Sequence, residues 1–484
     1  MKEFLQGIEQ KSRNAPSDVV VMKFGGTSVE NAAAIRRVAQ IVRSRLGSRP
    51  VVVVSALSKV TDRLLLMGKA AANGDLETAM QVLQELRQRH QEVALDLVHG
   101  ADHERVQQSL TLDFEIVSEL IRGIAAVGEF SPRTQDSLLG FGECLSSKIA
   151  SAAFIENGLN VALVDAHDCI VTDTAHTQAT PLWDQTNEHL ARLLTPLLEA
   201  GQIPLLGGFI GATCDGIPTT LGRGGSDFSA AIVGAGLNAE RIEIWTDVDG
   251  IMTSDPNVCP DALRIERMSF AEAAELAYFG AKVLHPATLL PAMRQNIPVY
   301  VLNSRNPDCE GTEIVAQCNG ATRVKAITVK RGVAVVDVEA VRRMEPELLR
   351  EICEMLGRHQ CTFDLVSASW SSASLLVGST LGLPAVAAEL KGLASVRWEN
   401  HKALVCLVGD KIRRPEIAGH VFKAISHVDA RMIGQGASER NISFLVDESI
   451  ADESVRVLHQ LFFSSDVAAR AASKALCQAG EAWQ

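Results

Sequence analysis

The chain has 484 residues, of which 47% are hydrophobic and 21% are charged. It is therefore long enough for two or three globular domains and too apolar for wholesale disorder. Its formal net charge of -12 at pH 7 argues against a general nucleic-acid or anionic-membrane partner, but it is compatible with a small anionic ligand in a locally basic cleft.

The cysteines and the N-terminus bear on the cellular compartment. Ten cysteines are scattered singly without a C-x-x-C pair, which argues against a zinc site and against a disulfide framework. Residues 1–18 are polar and lack the apolar core of a secretory signal, and no apolar run reaches the length of a membrane span. We therefore expect a cytoplasmic protein with no membrane partner.

The most informative stretch is residues 19–29, which read VVVMKFGGTSV. An apolar strand ends at Lys23, two glycines follow, and residues 32–42 have helical spacing. A helix N-terminus would then aim N–H groups at one point, and Gly25 and Gly26 would let an anion approach closely. With the positive charge of Lys23, this pattern predicts a phosphate site. The pattern also occurs in α/β proteins that bind no phosphate, and it is neither a Walker loop nor a G-x-G-x-x-G fingerprint.

Residues 50–56 form a second valine-rich strand. Continuous apolar strands that alternate with helices predict a parallel sheet covered on both faces, with ligands at the carboxyl ends of the strands. Ser55 and Thr61 follow such an end, where they either contact a ligand or cap a helix. Residues 63–130 have the spacing of long amphipathic helices, and we assign them no chemistry.

Two later glycine-rich stretches carry charged residues. Glu143 lies in residues 140–146 at a helix start, where it either compensates the helix dipole or holds a cation or an amine. Residues 219–231 place three glycines around Arg223, ahead of a Ser-Asp pair expected to cap an alanine-rich helix. Arg223 can bind a carboxylate or a phosphate through two parallel hydrogen bonds. Asp227 can orient a nucleophile, hold Mg²⁺ or be no more than a first-turn acid.

Residues 242–252 and 279–286 are two further candidate site stretches. The first is a strand that runs into an acidic turn, and the second places Lys282 beside a glycine and ahead of a proline. Lys282 alone would be an ordinary surface lysine. Together, however, two glycine-rich turns, two lysines, an arginine and several carboxylates are what phosphoryl transfer needs, because positioning and charge neutralisation dominate its catalysis.

Four motifs resemble those of the aspartate kinases, in the same order and at plausible spacing. They are residues 23–29 (KFGGTSV), 220–227 (TLGRGGSD), 245–251 (WTDVDGI) and 279–287 (FGAKVLHPA). The resemblance extends more weakly to about residue 462 and is greatest to the lysine-sensitive branch without a homoserine dehydrogenase module. It implies an amino-acid-kinase fold and the phosphorylation of the β-carboxylate of L-aspartate by ATP with Mg²⁺. This reaction gives 4-phospho-L-aspartate, the first step towards lysine, threonine and methionine.

The resemblance also implies roles for individual residues. Lys23 and Asp227 match catalytic positions, with Lys23 stabilising the phosphoryl group in flight and Asp227 a candidate ligand of Mg²⁺. Substrate-binding positions match Ser55, Thr61, Glu143 and Arg223, with Arg223 on the α-carboxylate and Glu143 on the α-amino group. ATP-binding positions match Lys23, Phe24, Gly25, Gly26, Ser226, Thr246, Asp247, Met252, Asn257 and Lys282. Met252 and Asn257 depart from the commonest family pattern, which has tyrosine and arginine there.

From about residue 324 the pattern changes to two weakly similar βαβ-type units. The first is predicted as strand, helix and strand over residues 324–338, 348–356 and 362–377, and the second has elements over residues 403–408, 417–425, 430–434 and 442–446. The units resemble the paired ferredoxin-like, α+β ACT domains of the family, which bind feedback amino acids and dimerise. A dimerisation platform that binds no ligand is the alternative.

The first ACT-like unit departs from the lysine-sensing pattern. The effector positions of the family match Met344, Thr362, Asp364 and Ser369. The glutamate that would hold a lysine ammonium is replaced by Trp370. We therefore expect lysine inhibition to be weak or absent, with a different effector as the alternative.

The predicted organisation comprises an N-terminal tail (1–18), a kinase domain (19–315), two ACT-like domains (324–395 and 400–464) and a C-terminal tail (465–484). The expected partners are L-aspartate, ATP, an amino-acid effector and further copies of the chain in a homodimer or homotetramer. Two other functions stay open: a sibling kinase of the same fold that acts on glutamate or N-acetylglutamate, and an inactive amino-acid sensor. Thr61, Glu143 and Arg223 favour a free α-amino acid as substrate, and the intact charged residues argue against the sensor.

Overall fold

The computed structural model describes residues 17–280, 286–318, 323–341 and 343–464. They form two compact units, of which the first comes from Met1–Ile251, Glu266–Phe270 and Leu284–Cys318 and the second from Met252–Ile265, Ala271–Val283 and Asn319–Gln484. The second unit thus takes in two segments from the region predicted as the kinase domain. The predicted C-terminal tail, most of the predicted N-terminal tail and Lys282 lie outside the described residues.

A mostly parallel, eight-stranded sheet is the centre of the first unit. The strands of this unit are β1 (Val20–Phe24), β2 (Pro50–Val54), β3 (Val161–Leu163), β4 (Val171–Thr172), β5 (Ile203–Gly207), β6 (Ile210–Thr213), β7 (Pro218–Thr220), β8 (Arg241–Thr246), β9 (Arg267–Ser269), β10 (Val299–Asn303) and β11 (Thr312–Val315). The sheet order is β3-β5-β2-β1-β8-β10-β11-β9, with an antiparallel β10–β11 pair and parallel pairs elsewhere. A smaller sheet has the order β4-β6-β7. Both β1 and β2 are buried along their whole length, as expected for strands with helices on both faces.

Helices cover this sheet and pack on one another. They are α1 (Ala32–Arg43), α2 (Val60–Ala72), α3 (Leu76–Leu97), α4 (Gly100–Val127), α5 (Pro132–Leu139), α6 (Phe141–Glu156), α7 (Ala166–Cys169), α8 (Trp183–Glu199), α9 (Gly225–Gly236) and α11 (Leu290–Arg294). The helix α10 (Phe270–Tyr278) belongs to the second unit from Ala271 onwards. The amphipathic pattern over residues 63–130 corresponds to α2, α3 and α4. Their buried faces contribute Leu64, Leu86, Phe114 and Ile121 to the core of this unit.

One helical stretch of the described chain, Pro132–Glu156, is long and apolar enough to cross a membrane by length and composition alone. It comprises α5 and α6, and 72% of its most apolar window is buried inside the fold. Core helices of globular proteins have the same pattern, so this stretch is only weak evidence for a membrane span.

The second unit is built on a six-stranded antiparallel sheet of order β13-β14-β12-β15-β17-β16. Its strands are β12 (Arg323–Ala340), β13 (Phe363–Ala368), β14 (Ser372–Val377), β15 (Ala394–Asp410), β16 (Met432–Gly434) and β17 (Asn441–Asp447). Its helices include α12 (Pro346–Arg358), α13 (Leu383–Glu389), α14 (Pro415–Ala424) and a final helix over residues 451–464. The predicted strand over residues 362–377 is in fact the hairpin β13–β14, in which Ser369 N–H donates to the Ser372 carbonyl at 2.7 Å.

Two hydrophobic clusters lie along this sheet, and β12 contributes to both. Val336 and Val338 pack with α12 and β14, whereas Val324 and Ile327 pack with β15, β17 and the final helix. The register of β12 against β15 shifts after Lys330, between the two clusters. Residues 324–330 were predicted as the start of the first ACT-like unit, but they pack in the second cluster. The exact domain bounds stay a prediction.

Candidate active site

Lys23 lies near the carboxyl end of an inner strand of the first unit. The strand β1 is flanked by β2 and β8, both parallel to it, and Lys23 is in register with Val53 and Ile244. The side chain is 11% exposed, so solvent screens its charge only weakly. In open α/β sheets the carboxyl ends of the strands form the ligand-binding edge.

The two glycines after this lysine bring the chain close to neighbouring segments. Gly25 N–H donates to the Trp245 carbonyl at 3.0 Å, and Ser58 N–H donates to the Gly26 carbonyl at 3.1 Å. A Cβ on Gly26 would lie 3.0 Å from the carbonyl oxygen of Ala56. A larger residue would therefore push apart the loops that follow β1 and β2.

The structure corrects one detail of the predicted phosphate turn. The chain continues after the glycines as a 3₁₀ helix, Gly26–Ser28, and α1 begins only at Ala32. The side chain of Asn31 caps α1 by accepting a hydrogen bond from Ala34 N–H at 2.9 Å. A 3₁₀ turn, rather than an open helix N-terminus, therefore follows the glycines.

The two residues predicted to be catalytic form an ion pair. Lys23 Nζ lies 2.6 Å from Asp227 Oδ1, and the Asp227 side chain is 13% exposed. Asp227 is in the first turn of α9, where the helix dipole favours a carboxylate. The N-cap of α9 is Gly224 and has no side-chain cap, so the expected Ser-Asp cap is wrong. A nearly buried pair of opposite charges thus lies at the ligand-binding edge.

The glycine-rich loop before α9 depends on left-handed backbone. Gly222 and Gly224 have φ angles of 78° and 67°, and Arg223 between them is exposed. Within the described part of the chain Arg223 has no ion-pair partner, so its guanidinium is available to an anion. A Cβ on Gly208 would lie 2.7 Å from the Ser226 Cβ, which shows how closely the chain after β5 packs on α9.

Ser55 and Glu143, two of the predicted substrate-binding residues, lie on adjacent segments. The Ser146 hydroxyl donates to the Ser55 carbonyl at 2.8 Å, and Ser146 is one turn after Glu143 on α6. This hydrogen bond ties the end of β2 to the helix that carries Glu143. Thr61 is in the first turn of α2, and the N-cap of that helix is Lys59. The alternative role of Thr61 as a helix cap is therefore not realised.

Glu143 is a fully buried carboxyl group with a raised pKa. Burial raises its pKa to about 8, although backbone hydrogen bonds from Ala56 and from its own N–H, and the charge of Lys23, act in the opposite direction. Its Oε2 atom is buried and has no hydrogen-bond partner among the described residues. Because a buried carboxylate oxygen without a donor is costly, this atom is suited to receive an ammonium group.

Most of the predicted nucleotide-binding residues of the first unit lie at the ends of β1 and β8, and Ser226 lies in the first turn of α9. Thr246 and Asp247 follow β8, and the Thr246 carbonyl accepts hydrogen bonds from the N–H and the hydroxyl of Ser304 at 2.8 and 3.0 Å. The side chain of Phe24 is fully buried and stacks on Trp245, with ring centroids 6.0 Å apart. Phe24 can therefore meet a ligand only through its backbone.

The other predicted nucleotide-binding residues belong to the second unit. Met252 forms an isolated β-bridge with Arg264, and Asn257 donates to Asp255 Oδ1 from its N–H and its side-chain amide, both at 2.9 Å. Lys282 lies outside the described residues.

Polar residues that were not predicted as site residues lie at the end of β10, which is parallel to β8. Ser304 Oγ lies 2.8 Å from Ser28 Oγ, and Asn303 donates to Asp249 Oδ1 at 2.8 Å. These bonds join the end of β10 to the glycine turn and to the acidic turn after β8. A signal was present, since Asn303 and Ser304 directly follow the mostly apolar residues 297–302.

The predicted effector residues Met344, Thr362, Asp364 and Ser369 lie in the second unit. Asp364 is already paired, because Lys330 Nζ lies 2.6 Å from its Oδ2 atom. Met344 N–H donates to the carbonyl of Trp370, in the turn that also contains Ser369, at 2.9 Å. The side chain of Trp370 is 70% exposed.

The described residues contain no group of three or more histidine, cysteine, aspartate or glutamate side chains arranged to hold a metal ion. Asp227, the candidate donor to Mg²⁺, therefore does not belong to such a group. A single carboxylate donor fits Mg²⁺ that is held mainly by nucleotide phosphates and water.

Family profiles match both parts of the chain. Residues 18–303 match the profile of the Amino acid kinase family, and residues 405–462 match that of the ACT domain. The fold and the site therefore define an amino acid kinase with a C-terminal ACT module.

Similarity to individual proteins shows which family within this class the chain belongs to. The chain is 34% identical over 463 residues to lysine-sensitive aspartokinase 3 of Escherichia coli, and this alignment covers 92% of this chain and 100% of the relative. It is 33% identical over 469 residues to chloroplastic aspartokinase 3 of Arabidopsis thaliana, and this alignment covers 92% of this chain and 82% of the relative. The crystal structure of E. coli aspartokinase III with aspartate and ADP matches with a TM-score of 0.81 at 34% identity, over 92% of this chain and 100% of that chain. The chain belongs to the aspartokinase family, and the predicted family and fold class are confirmed.

Proposed function

We propose that this chain transfers the γ-phosphoryl group of ATP to the β-carboxylate of L-aspartate and forms 4-phospho-L-aspartate. The observation that carries the proposal is a single edge of the sheet that combines a nearly buried cation, Lys23, with Glu143, a buried carboxyl group that lacks one hydrogen-bond donor. The charge of Lys23 already acts on the pKa of Glu143, so the two groups share one electrostatic environment.

The chemistry requires little beyond positioning and positive charge. A carboxylate that attacks a polyphosphate must overcome repulsion between anions, and Lys23 lowers that repulsion at the strand end. The substrate carboxylate is itself the nucleophile, so the enzyme needs no general base. The backbone of Gly25 and Gly26 lets the phosphates approach closely, because no side chain intervenes.

Substrate recognition is assigned to four residues around that edge. Arg223 binds the α-carboxylate through its exposed guanidinium, and Glu143 accepts the α-ammonium group on its unpartnered oxygen. Ser55 and Thr61 line the pocket at the end of β2 and the start of α2.

Nucleotide binding is assigned to the remaining predicted residues. Thr246, Asp247 and Ser226 contact the nucleotide from the first unit, and Met252, Asn257 and Lys282 are the candidates from the rest of the chain. Mg²⁺ bound with ATP supplies charge neutralisation on the phosphates. Asp227 is the side chain that would reach the metal, although its Oδ1 atom is paired with Lys23.

The test of this function is an assay with ATP, Mg²⁺ and L-aspartate in which hydroxylamine traps the acyl phosphate. We expect hydroxamate and ADP to form in equal amounts with aspartate. Turnover with glutamate or N-acetylglutamate but not with aspartate would move the assignment to a sibling kinase. No turnover with any of the three substrates would favour the inactive sensor.

We propose that the second unit responds weakly or not at all to L-lysine. The Asp364 carboxylate is paired with the chain's own ammonium group at Lys330, so an external ammonium must displace it. Replacing Lys330 by methionine should free this carboxylate and tighten lysine binding by about tenfold, as expected for one charged hydrogen bond. Isothermal titration calorimetry with L-lysine measures the change.

The matched control for Lys330→Met is Lys402→Met, because Lys402 also bridges carboxylates of the same sheet, Glu399 and Asp447. Lysine affinity should be unchanged in that variant. Strong inhibition of the unaltered enzyme by low lysine, abolished by a change at Asp364, would contradict the proposal.

We propose that the enzyme is a homodimer or homotetramer and works in the cytoplasm. The strand β13 is at an edge of the six-stranded sheet, and exposed Phe363, Val366 and Trp370 lie on it or beside it. Such edges favour pairing with a second chain. The mass from light scattering tests the assembly.

The nine cysteines in the described segments are free thiols, as in a reducing compartment, and cell fractionation tests the location.

A further inference from the structure

Asp136 on α5 is a completely buried carboxylate whose bonds all reach distant segments of the first unit. The Thr220 hydroxyl donates to Oδ1, and Thr177 N–H donates to both carboxylate oxygens at 3.0 Å. His176 Nδ1 lies 2.7 Å from Oδ2. The carboxylate therefore holds β7 and the loop before α8 together.

These partners lie directly beside the loop that carries Arg223. Thr220 is the last residue of β7, three positions before Arg223, and its carbonyl accepts a hydrogen bond from Ala179 N–H at 2.9 Å. A Cβ on Gly222 would lie 3.2 Å from the Thr177 carbonyl oxygen, so the arginine loop packs on the segment that Asp136 holds.

The conformation of Thr177 needs this support. Its φ angle is 71°, in the left-handed region that a β-branched residue rarely adopts. Such strained residues persist only where their surroundings fix them. Both oxygens of Asp136 hold Thr177 N–H, and the neighbouring His176 adds a third contact. Without the carboxylate, we expect the segment to relax and the wall behind Gly222 to move.

Asp136 also lies close to Glu143 along the chain. Its carbonyl accepts the Gly140 N–H at 3.0 Å, at the junction where α5 ends and α6 begins. Glu143 is in the first turn of α6. Asp136 thus belongs to the helix that directly precedes the helix of Glu143, and its side chain is bonded to the last residue of the strand that leads into Arg223.

We propose that Asp136 is a positioning residue that sets the distance between Glu143 and Arg223, the two groups that bind the α-ammonium and the α-carboxylate of the amino acid. This inference rests on the proposed function, in which both groups contact aspartate. It assigns to Asp136 the fixed spacing that lets an α-amino acid bind at both ends and directs its side-chain carboxylate towards Lys23.

The test compares Asp136→Asn with a matched buried aspartate. Asparagine keeps the shape but cannot accept all of these hydrogen bonds. We expect the KM for aspartate to rise by roughly 10- to 100-fold, as for a misplaced binding group, with the KM for ATP changed less than about twofold. The control is Asp113→Asn, since Asp113 is a largely buried aspartate on α4 that bridges to Lys148 on α6 through Nζ–O distances of 2.8 and 2.6 Å. That variant should lose stability without a change in either KM.

A second pair of variants covers the case in which Asp136→Asn fails to fold. Thr220→Val removes one donor to the carboxylate, and Thr220→Ser restores the hydroxyl. We expect the KM for aspartate to rise in the valine variant and to return towards the original value in the serine variant.

The outcomes separate this inference from the function on which it rests. No hydroxamate from the unaltered enzyme with aspartate would overturn the proposed function itself. Normal turnover by that enzyme, with an aspartate KM unchanged in Asp136→Asn and in Thr220→Val, would overturn the positioning role alone. An equal rise of both KM values, or a similar rise in Asp113→Asn, would reduce Asp136 to a structural residue.

Discussion

Replacement of Lys23 by alanine is expected to lower kcat for hydroxamate formation by about 10²–10³-fold, with a smaller effect on the KM for aspartate. The lysine provides a nearly buried charge at the strand end, where charge develops on the transferred phosphoryl group. Truncation also leaves Asp227, whose Oδ1 atom lies 2.6 Å from Nζ, to face the incoming phosphates without its partner. Steady-state kinetics with ATP and aspartate varied separately measures both parameters.

Two further variants separate chemistry from folding. Removing one partner of a buried ion pair costs about 3–5 kcal/mol of stability, whereas removing both is often close to neutral. The double variant Lys23→Met/Asp227→Asn should therefore recover the melting temperature that Lys23→Ala loses, yet stay inactive. Lys69→Ala, at an exposed lysine on α2, should keep full activity. Recovery of activity together with stability in the double variant would show that Lys23 is not the transition-state cation.

The core of the first unit was predictable because the sequences of its inner strands are largely apolar, which indicates burial. Residues 19–22 and 50–54 are continuous apolar runs, and the structure places them in adjacent inner strands. The pairing of β1 with β8 was not predictable, since it joins segments more than 200 residues apart. The sheet β4-β6-β7 was missed because its strands are short and partly polar.

The second unit shows a different limit of sequence analysis. Strand β12 continues through two hydrophobic clusters, and the register shifts after Lys330 and after Val333 mark the change. A pattern of apolar residues detects a strand but not the partner against which each half packs. For this reason residues 324–330 were grouped with the elements that follow them along the chain, and not with the second cluster.

Within the site, the charged residues beside glycines were predictable and their supports were not. Lys23 and Asp227 each belong to a recognisable motif, and the structure pairs them. Asp136 has no such motif, since its partners Thr177 and Thr220 lie 41 and 84 positions away. Ser304 was predictable in principle, because it directly follows the carboxyl end of an apolar strand, where ligands bind in α/β sheets.

Replacement of Glu143 by glutamine is expected to raise the KM for aspartate by roughly 10- to 100-fold, the effect of losing one charged hydrogen bond to the α-ammonium group. The amide keeps the size of the buried side chain but carries no charge. The effect on the KM for ATP should be small, because the proposed contact is with the amino acid alone. Kinetics at a fixed, saturating ATP concentration gives the comparison.

The pH dependence provides an independent readout. Burial holds the pKa of Glu143 at about 8, and an ammonium group binds the ionised form. In the unaltered enzyme kcat/KM for aspartate should therefore rise from about pH 6 to about pH 8, as the carboxyl group loses its proton. The glutamine variant has no such proton, so this part of its profile should be flat.

The free energy of unfolding must also depend on pH, because folding changes the pKa of Glu143. The pKa of Glu143 is raised from 4.5 to about 8, so the folded state binds more protons than the unfolded state between these values. The stability that this proton uptake contributes at low pH is lost as the pH rises through 8. Relative to the unaltered enzyme, Glu143→Gln should therefore gain stability between about pH 5 and pH 8, as urea unfolding would measure.

The control lies at the other end of the same helix. Glu156, which pairs with His99, lies far along α6 from Glu143, so Glu156→Gln should leave the aspartate KM and the pH profile unchanged. A flat profile in the unaltered enzyme, or the same profile in Glu143→Gln, would remove Glu143 from the amino-acid site. A weakened aspartate affinity without the pH effect would mean that the carboxylate is already ionised by a neighbouring cation, for which Lys23 is the candidate because its charge already lowers the pKa of Glu143.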